Sequence, residues 1–129
     1  MRMQAPTPPR WQKILGIVLT VVPVFMLAMS AVMKLSQSPE LIEGFGKAGI
    51  PPTVIVPIGV EELVSVILYA IPQTAILGAI LLTGHLGGAI AIHVRIGEPF
   101  HVPLLIGVVV WAGLWLRDPR VRALLPLRR

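Results

Sequence analysis

The chain alternates long apolar runs with short polar connections. The first run, residues 14–33, holds twenty residues without a charge, and a helix of that length spans the roughly 30 Å hydrocarbon core of a bilayer. A second charge-free stretch, residues 63–94, is too long for one crossing, so we place a turn at Pro72-Gln73-Thr74. The pattern predicts an all-α, polytopic membrane protein built as a four-helix bundle. The predicted transmembrane spans are residues 14–35, 52–71, 75–94 and 101–116.

The first apolar run has a second interpretation, as a secretory signal peptide. Arg2, Arg10 and Lys13 resemble the basic region at the start of such peptides, and Ala28-Met29-Ser30 resembles a cleavage site. The uncharged run is nevertheless longer than the roughly 7–15 apolar residues of a typical signal peptide. Its length favours a retained transmembrane helix.

The connection between the first two spans carries a helix signal of its own. Ser38-Pro39-Glu40 combines an N-cap residue, a first-turn proline and an acid suited to the helix dipole. Apolar residues then share one side of the helix, and Gly49 marks its stop. These apolar residues are Leu41, Ile42, Phe45 and Ala48. We expect a short amphipathic helix at the membrane interface.

Composition supports the membrane interpretation. Hydrophobic residues make up 55% of the chain and charged residues 13%, which is about half of the ~25% usual in soluble domains. A lipid-facing surface needs few charges, whereas a soluble one needs many. The chain contains no cysteine, which excludes disulfides, thiol redox chemistry and cysteine-ligated iron–sulfur clusters.

The net charge of +5 is concentrated at the two ends of the chain. Eight of the eleven basic residues lie in the tails, residues 1–13 and 117–129, and the other three are Lys34, Lys47 and Arg95. Basic segments favour the cytoplasmic side, so we expect both tails in the cytoplasm of a bacterium whose inner membrane holds the protein. No nucleic-acid recognition module accompanies the charge, and the expected partner of the tails is the lipid surface.

Glu61 and Glu62 interrupt the second span about ten residues from either end. An ionised carboxylate at that depth costs at least ~2.5–3.5 kcal/mol, so it should be paired, protonated or beside a wet cavity. Glu62 shares a helix face with Gly59, Ser65 and Tyr69, and Glu61 has Ser65 as its only polar neighbour on the helix. Glu62 is therefore the candidate for the bundle interior, as a functional protonatable group or as a hydrogen-bonding link between helices.

His85 is the natural partner of Glu62 by depth. Folding the chain at Pro72-Gln73 places His85 within ~3 Å of the level of the two glutamates. An imidazole and a carboxyl group there would share a proton and titrate as a pair. The alternative is that His85 is an interhelical hydrogen-bond donor without chemistry.

Five more polar residues gather by topology at the membrane face opposite the tails: Lys34, His93, Arg95, Glu98 and His101. One interpretation of Lys34 and Arg95 is that they simply extend toward water. His93, Glu98 and His101 are residue types that bind metals, but their spacing is not that of a metal site, and we expect no metal. Lys34 and His93 join Glu62 and His85 as a candidate intramembrane polar site.

Gly84 and Gly88 form a G-x-x-x-G pair on the third span. Such pairs allow a neighbouring helix to approach closely. We expect a helix-packing seam within the bundle or, alternatively, a homodimer face.

Short phrases follow one another along the chain in a particular order. They are Met33-Lys34-Leu35, Gly46-Lys47-Ala48-Gly49-Ile50-Pro51, Gly59-Val60-Glu61-Glu62-Leu63, Ile71-Pro72, and Gly84-His85-Leu86-Gly87-Gly88-Ala89 followed by His93. In this order and spacing, residues 14–116 resemble the DoxX-like family of small four-helix membrane proteins. The resemblance implies that Lys34, Glu62 and His93 are recurring polar positions and that Glu61 and His85 are departures. The family is named after a membrane subunit of a thiosulfate:quinone oxidoreductase, so a quinone is a cofactor implied by the resemblance alone.

Two functions from different classes follow. The first is a non-catalytic membrane subunit or scaffold of a quinone-linked redox complex, with a membrane redox protein or a second copy of the chain as partner. The second is a small proton-coupled carrier or ligand-binding protein that uses Glu62 as its buried protonatable group. An autonomous enzyme is disfavoured, because the sequence contains no nucleophile–base pattern and no phosphate-binding loop.

Overall fold

The computed structural model describes residues 7–128. Within that range the chain forms six α-helices and two 3₁₀ turns and no strand, so the all-α prediction is confirmed. The helices are α1 (Arg10–Leu35), α2 (Pro39–Lys47), α3 (Ile55–Ala70), α4 (Ala75–Arg95), α5 (His101–Arg117) and α6 (Pro119–Leu124). The 3₁₀ turns, Pro52–Val54 and Pro72–Thr74, lead directly into α3 and α4.

Prolines set several of the helix boundaries. Proline lacks an N–H and disfavours helix in the residue before it, so it fits the first turn of a helix and stops one upstream. Pro9 occupies the N-cap position of α1, Pro39 and Pro119 begin α2 and α6, and Pro72 begins the turn into α4. Pro23 lies inside α1, where it is buried.

The four long helices pack in a ring, in which α1 and α4 each contact both α3 and α5. Gly16 of α1 lies against Leu116 of α5, and Gly78 of α4 lies against Tyr69 of α3. The start of α1, the end of α3, the start of α4 and the end of α5 therefore share one end of the ring, which we call the terminal end. The opposite end carries α2 and is called the α2 end.

The outside of the ring is apolar. Three helical segments, Arg10–Leu35, Pro52–Ala70 and Pro72–Arg95, are long and apolar enough to cross a membrane, and α5 is a shorter apolar helix. Large hydrophobic side chains face outward, among them Phe25, which is 63% exposed, and Val108, which is 58% exposed. A water-soluble protein rarely exposes so continuous an apolar surface, whereas a helix in lipid requires one.

The terminal half of the ring is tightly packed. Its largest buried side chains are Tyr69, Leu82, Val110 and Leu114. Tyr69 donates a 2.7 Å hydrogen bond from its hydroxyl to the Val110 carbonyl oxygen. A Cβ on Gly78 would overlap the Tyr69 backbone, and one on Gly113 would lie 2.8 Å from the Leu19 carbonyl oxygen. These two glycines therefore allow the helices of this half to approach at backbone distance.

The prediction that Gly84 and Gly88 form a helix-packing seam within the bundle is wrong. Among residues 7–128, a Cβ added at either glycine would meet no heavy atom within 4 Å. Two glycines one turn apart make room for a neighbouring helix, but they do not bring one there. Here they border an open cavity. The homodimer face stays a prediction.

Helix α2 connects α1 to α3 across the α2 end. Ser38 occupies its N-cap position, but its side chain makes no capping hydrogen bond within the part of the chain that the structure describes. The chain enters and leaves this segment through left-handed backbone conformations, at Gln37 with a φ of 53° and at Gly49 with a φ of 76°. Leu41 and Phe45 of α2 line the cavity between the long helices.

The chain after α5 folds back as α6, within the predicted tail of residues 117–129. Asp118 caps this helix by accepting a 2.9 Å hydrogen bond from the Arg120 backbone N–H. The Arg120 guanidinium also donates to the Asp118 carboxylate at 2.8 Å, and this bond lowers the pKa of that carboxyl below its usual value. Of the predicted basic tail residues, Arg2 and Arg129 lie outside the described residues.

Candidate functional site

Two opposite charges are buried together inside the ring. Lys34 Nζ lies 2.9 Å from Glu62 Oε1, and the two side chains are only 9% and 1% exposed. Ser30, one turn earlier on α1, accepts a second hydrogen bond from Lys34 Nζ at 2.7 Å. Removing two charges from water costs several kcal/mol per ion, and only close pairing with added hydrogen bonds offsets that cost. Lys34 and Glu62 meet this condition.

The alternative interpretation, in which Lys34 extends toward water, is wrong, because the Lys34 side chain is 9% exposed. Helical side chains tilt toward the N-terminus of their helix, and Lys34 lies one residue before the end of α1. Its side chain therefore runs back into the bundle. Gly59 of α3 makes room for it, because a Cβ on Gly59 would lie 2.8 Å from Lys34 Cβ. Glu62 follows Gly59 by one helical turn on the same face and meets the ammonium group.

His85 of α4 contacts both adjacent glutamates of α3. Its Nε2 lies 2.8 Å from Glu62 Oε2, and its Nδ1 lies 2.8 Å from Glu61 Oε2. The structure thus places His85 beside Glu62, the pair that was inferred from depth. Ser65 is the polar neighbour of Glu61 on its own helix, as predicted, and His85 adds a second polar neighbour from α4. Adjacent helical residues point about 100° apart, but one imidazole has a nitrogen on each of two edges and reaches both carboxylates.

Glu61 is the accessible member of this group. Its side chain is 45% exposed, whereas that of Glu62 is 1% exposed. The buried Ser65 hydroxyl lies 2.7 Å from the Glu61 carbonyl oxygen and 2.9 Å from Glu61 Oε1. It therefore donates to Glu61, one helical turn earlier on α3. Lys34, Glu61, Glu62 and His85 are referred to below as the polar cluster.

The polar cluster lies at one end of a cavity of about 610 Å³. The cavity extends along α4 from Gly84 toward the α2 end, where Phe45 of α2 lines it. Its walls are mainly apolar, with Met26, Ile92 and Ile106 among the lining side chains. Small-molecule sites in proteins have this size and this combination of apolar walls with a few convergent polar groups.

His93, a predicted site residue, lines the same cavity. Its Nδ1 lies 2.7 Å from the Ala89 carbonyl oxygen. Because a carbonyl oxygen only accepts, Nδ1 carries the hydrogen, and Nε2 is left for another partner. His93 lies eight residues beyond His85 on α4, about 12 Å along the helix. The structure therefore gives it a separate place in the cavity, away from the polar cluster.

Metal and cofactor chemistry can be compared with these residues. Among residues 7–128, no three His, Asp or Glu side chains are arranged to hold a metal ion. A quinone has an apolar body and carbonyl oxygens that accept hydrogen bonds. The apolar walls and the Lys34 ammonium group fit such a molecule.

A second groove of about 510 Å³ lies between α4 and α5. Gly87 and Gly107 line it, and Trp111 closes one side by donating a 2.7 Å hydrogen bond from Nε1 to the Thr83 hydroxyl. The groove's lining residues include no charged side chain. Gly87 thus borders the groove, while its neighbour Gly88 borders the cavity.

Sequence reasoning missed the pairing of Lys34 with Glu62 and the part played by Gly59. The available signal was a glycine one turn before a glutamate, which places a gap and a carboxylate on the same helix face. A lone lysine near the end of the preceding span was the matching cation.

Comparison with known proteins adds one finding. No curated protein and no solved structure matches this chain. A family model does match, over residues 18–115, which include the whole polar cluster and His93. Three helical segments of the chain are also long and apolar enough to cross a bilayer. The chain is a multi-pass membrane protein that belongs to the DoxX-like family.

Proposed function

We propose that this protein binds a small, largely apolar molecule in the cavity, with the polar end of the molecule against the polar cluster. One observation carries the proposal: four ionisable side chains lie together at one end of an apolar cavity of about 610 Å³. Apolar walls would hold the body of the ligand, and the cluster would orient its polar end.

A purely structural role explains the polar cluster less well. A single interhelical hydrogen bond in a membrane protein contributes about 0.6 kcal/mol and rarely more than about 2 kcal/mol. Joining helices therefore needs one modest bond, not four ionisable groups whose burial is costly. Gly84 and Gly88 also leave open space beside the cluster, where a structural core would hold larger side chains.

The cavity supports the second of the two predicted functions, ligand binding, over a role as a scaffold alone. The scaffold function, with a membrane redox protein as partner, needs no internal cavity. A quinone bound at the polar cluster would combine the two functions, since it would be both the ligand and the link to a redox complex. Proton-coupled transport would need an opening through the terminal half, which is tightly packed.

Our proposal for the topology has α1, α3, α4 and α5 each crossing a bacterial inner membrane once. Support comes from the basic residues, because eight of eleven lie at the two ends of the chain and basic segments favour the cytoplasm. Helix α5 has 17 residues and would cross with slight thinning of the bilayer. Reporter fusions at residue 129 and between residues 36 and 50 should report opposite sides, with residue 129 cytoplasmic. Two signals from the same side would contradict this topology.

Binding can be tested by identifying the small molecules that remain with the protein after purification in mild detergent. Native mass spectrometry of the wild type should show bound molecules. Gly88→Leu would fill the cavity and should remove them, whereas Gly87→Leu points into the other groove and should retain them. Both variants should elute as folded protein in gel filtration. Retention of the same molecules by Gly88→Leu would contradict binding in the cavity.

A further inference from the structure

The two carboxylate contacts of His85 determine the number of protons that we assign to the polar cluster. Each imidazole nitrogen lies 2.8 Å from a carboxylate oxygen, Nε2 from Glu62 and Nδ1 from Glu61. The Nδ1 contact is a hydrogen bond, and an Nε2 lone pair 2.8 Å from a carboxylate oxygen would be repelled, so we place a hydrogen at both contacts. A neutral imidazole has only one N–H. The group of three side chains therefore holds one more proton than two carboxylates and a neutral histidine would hold.

The location of that extra proton does not change the total charge. The two carboxylates contribute two negative charges, and the extra proton together with the Lys34 ammonium contributes two positive charges. The cluster as a whole is uncharged. The other side chains near it do not alter this balance, because Ser30 and Ser65 are neutral and the α5 residues lining the cavity, such as Pro103 and Ile106, are apolar.

The remaining titratable groups of the cavity lie away from the cluster. His93 is about 12 Å further along α4 and donates to the Ala89 carbonyl oxygen. Glu98 lies beyond the end of α4, in the connection to α5. From α2, only the apolar Leu41 and Phe45 and the backbone of Gly44 reach the cavity. A charged head at the cluster would therefore find no unbalanced opposite charge.

We infer that the ligand is an uncharged, elongated molecule with an apolar body and one hydrogen-bonding head, such as a hydroxyl or carbonyl group. This inference rests on the proposed function and specifies its ligand. A carboxylate or an ammonium head would leave a net charge in an apolar environment, which is costly. A hydroxyl or carbonyl group adds no charge. It would accept from Lys34, whose ammonium group has three hydrogens and two acceptors within residues 7–128, Ser30 and Glu62.

The test uses three probes that share one alkyl chain and differ in the charge of the head: decanol, decanoate and decylammonium. The protein is reconstituted in phosphatidylcholine nanodiscs at neutral pH, and empty nanodiscs correct for partition into lipid. Decanol should bind wild-type protein at least about tenfold more tightly than either ion. Gly88→Leu should abolish decanol binding, and Gly87→Leu should retain it.

The variant His85→Gln removes the imidazole that lies between the two carboxylates and shares the extra proton with them. The cluster then keeps two carboxylates and one ammonium, so its charges no longer balance. Decylammonium should gain affinity relative to decanol by about tenfold, while decanoate should not. The same ratio in His85→Gln as in the wild type, in folded protein, would contradict the charge balance.

The outcomes separate the two proposals. If none of the probes binds, and Gly88→Leu changes nothing, both ligand binding and its specificity are overturned. If a charged probe binds wild-type protein more tightly than decanol, and Gly88→Leu abolishes that binding, the cavity is a ligand site but the inference of an uncharged ligand is wrong. Should His85→Gln fail to fold, the order of the three probes on wild-type protein decides alone.

Discussion

The two halves of the helix ring use glycine in opposite ways. At the terminal end, Gly78 and Gly113 stand where backbone of a neighbouring helix occupies the space that a side chain would need. Toward the α2 end, Gly84 and Gly88 stand beside empty space that the cavity occupies. Glycine thus brings helices together in the terminal half and leaves open space along α4 in the other half, where Gly59 of α3 is an exception because it lies against Lys34 of α1.

This difference shows how a small membrane protein can contain a cavity and still fold. Helices in lipid associate through close packing and interhelical hydrogen bonds, because burial of apolar surface gives no advantage there. The terminal half supplies close packing, together with the Tyr69 hydrogen bond to Val110. The α2 half holds its helices through the ion pairs of the polar cluster. Stability is therefore expected to depend on packing in one half and on charge in the other.

The largest expected effect on stability comes from placing the same side chain, leucine, at a glycine of the terminal half and at a glycine beside the cavity. Gly78→Leu should prevent folding, because its first added carbon already overlaps the Tyr69 backbone. Overpacking commonly costs about 1–3 kcal/mol, and more where backbone must move. Gly88→Leu should fold with a melting temperature close to that of the wild type. Thermal unfolding in detergent and gel filtration measure both, and similar losses in the two variants would erase the contrast between the halves.

The polar cluster should show the next largest effect. Glu62→Gln leaves the buried Lys34 without its counter-charge and should cost about 3 kcal/mol. Adding Lys34→Met to this variant removes the unpaired charge and should recover most of the loss, a coupling that a double-mutant cycle in thermal unfolding measures. Glu61→Gln should cost less, because the Glu61 side chain is 45% exposed. If Glu61→Gln is the more damaging substitution, the assignment of Glu62 as the central carboxylate is wrong.

Gly59 should have an intermediate effect that links packing to charge. Gly59→Ala would place its Cβ 2.8 Å from Lys34 Cβ and 3.3 Å from the Ala31 carbonyl oxygen, so α1 must shift away. We expect a loss of about 1–2 kcal/mol and weaker coupling between Lys34 and Glu62. Gly84→Ala is the control and should be neutral or slightly stabilising, since alanine favours helix over glycine. An unchanged coupling energy in Gly59→Ala would remove Gly59 from the positioning of Lys34.

Asp118 should give the smallest effect, and one that depends on pH. The pKa of its carboxyl is lowered by the hydrogen bond from the Arg120 guanidinium. A lowered folded-state pKa stabilises the fold above the unfolded-state pKa, near 3.9, and this stabilisation is lost as the pH falls through the folded-state value. Asp118→Asn should therefore be less stable than the wild type by about 0.5 kcal/mol at neutral pH. The difference should vanish in acid, and a difference that persists there would assign the effect to lost hydrogen-bond geometry.

Local sequence patterns predict much of the helical framework. The apolar runs at residues 75–94 and 101–116 correspond to Ala75–Arg95 and His101–Arg117, and the turn expected at Pro72-Gln73-Thr74 is a 3₁₀ turn. These features depend on hydrophobic length and on proline, both of which act within a few residues. The depth of His85 relative to Glu62 could be predicted by counting residues from the turn at the helical rise, because a short turn joins their two helices.

Features that depend on the neighbouring helix could not be predicted in this way. The G-x-x-x-G spacing shows that Gly84 and Gly88 are compatible with close packing, but nothing in α4 reveals whether another helix lies there. Gly78 and Gly113 have no comparable motif, yet a Cβ on either would crowd the backbone of a neighbouring helix. The inward direction of Lys34 depends equally on Gly59 of a different helix, about one turn from Glu62.

The most direct test of ligand binding at the polar cluster is a histidine-detected NMR titration. The chain has three histidines: His85 belongs to the cluster, His93 lines the cavity, and His101 is an exposed residue outside it. In ¹⁵N-histidine-labelled protein in nanodiscs, both His85 nitrogens should carry hydrogens before any ligand is added. Titration with decanol should shift the His85 signals most, shift those of His93 less and leave His101 unchanged. Equal shifts at all three histidines, or a shift at His101 alone, would contradict binding at the polar cluster.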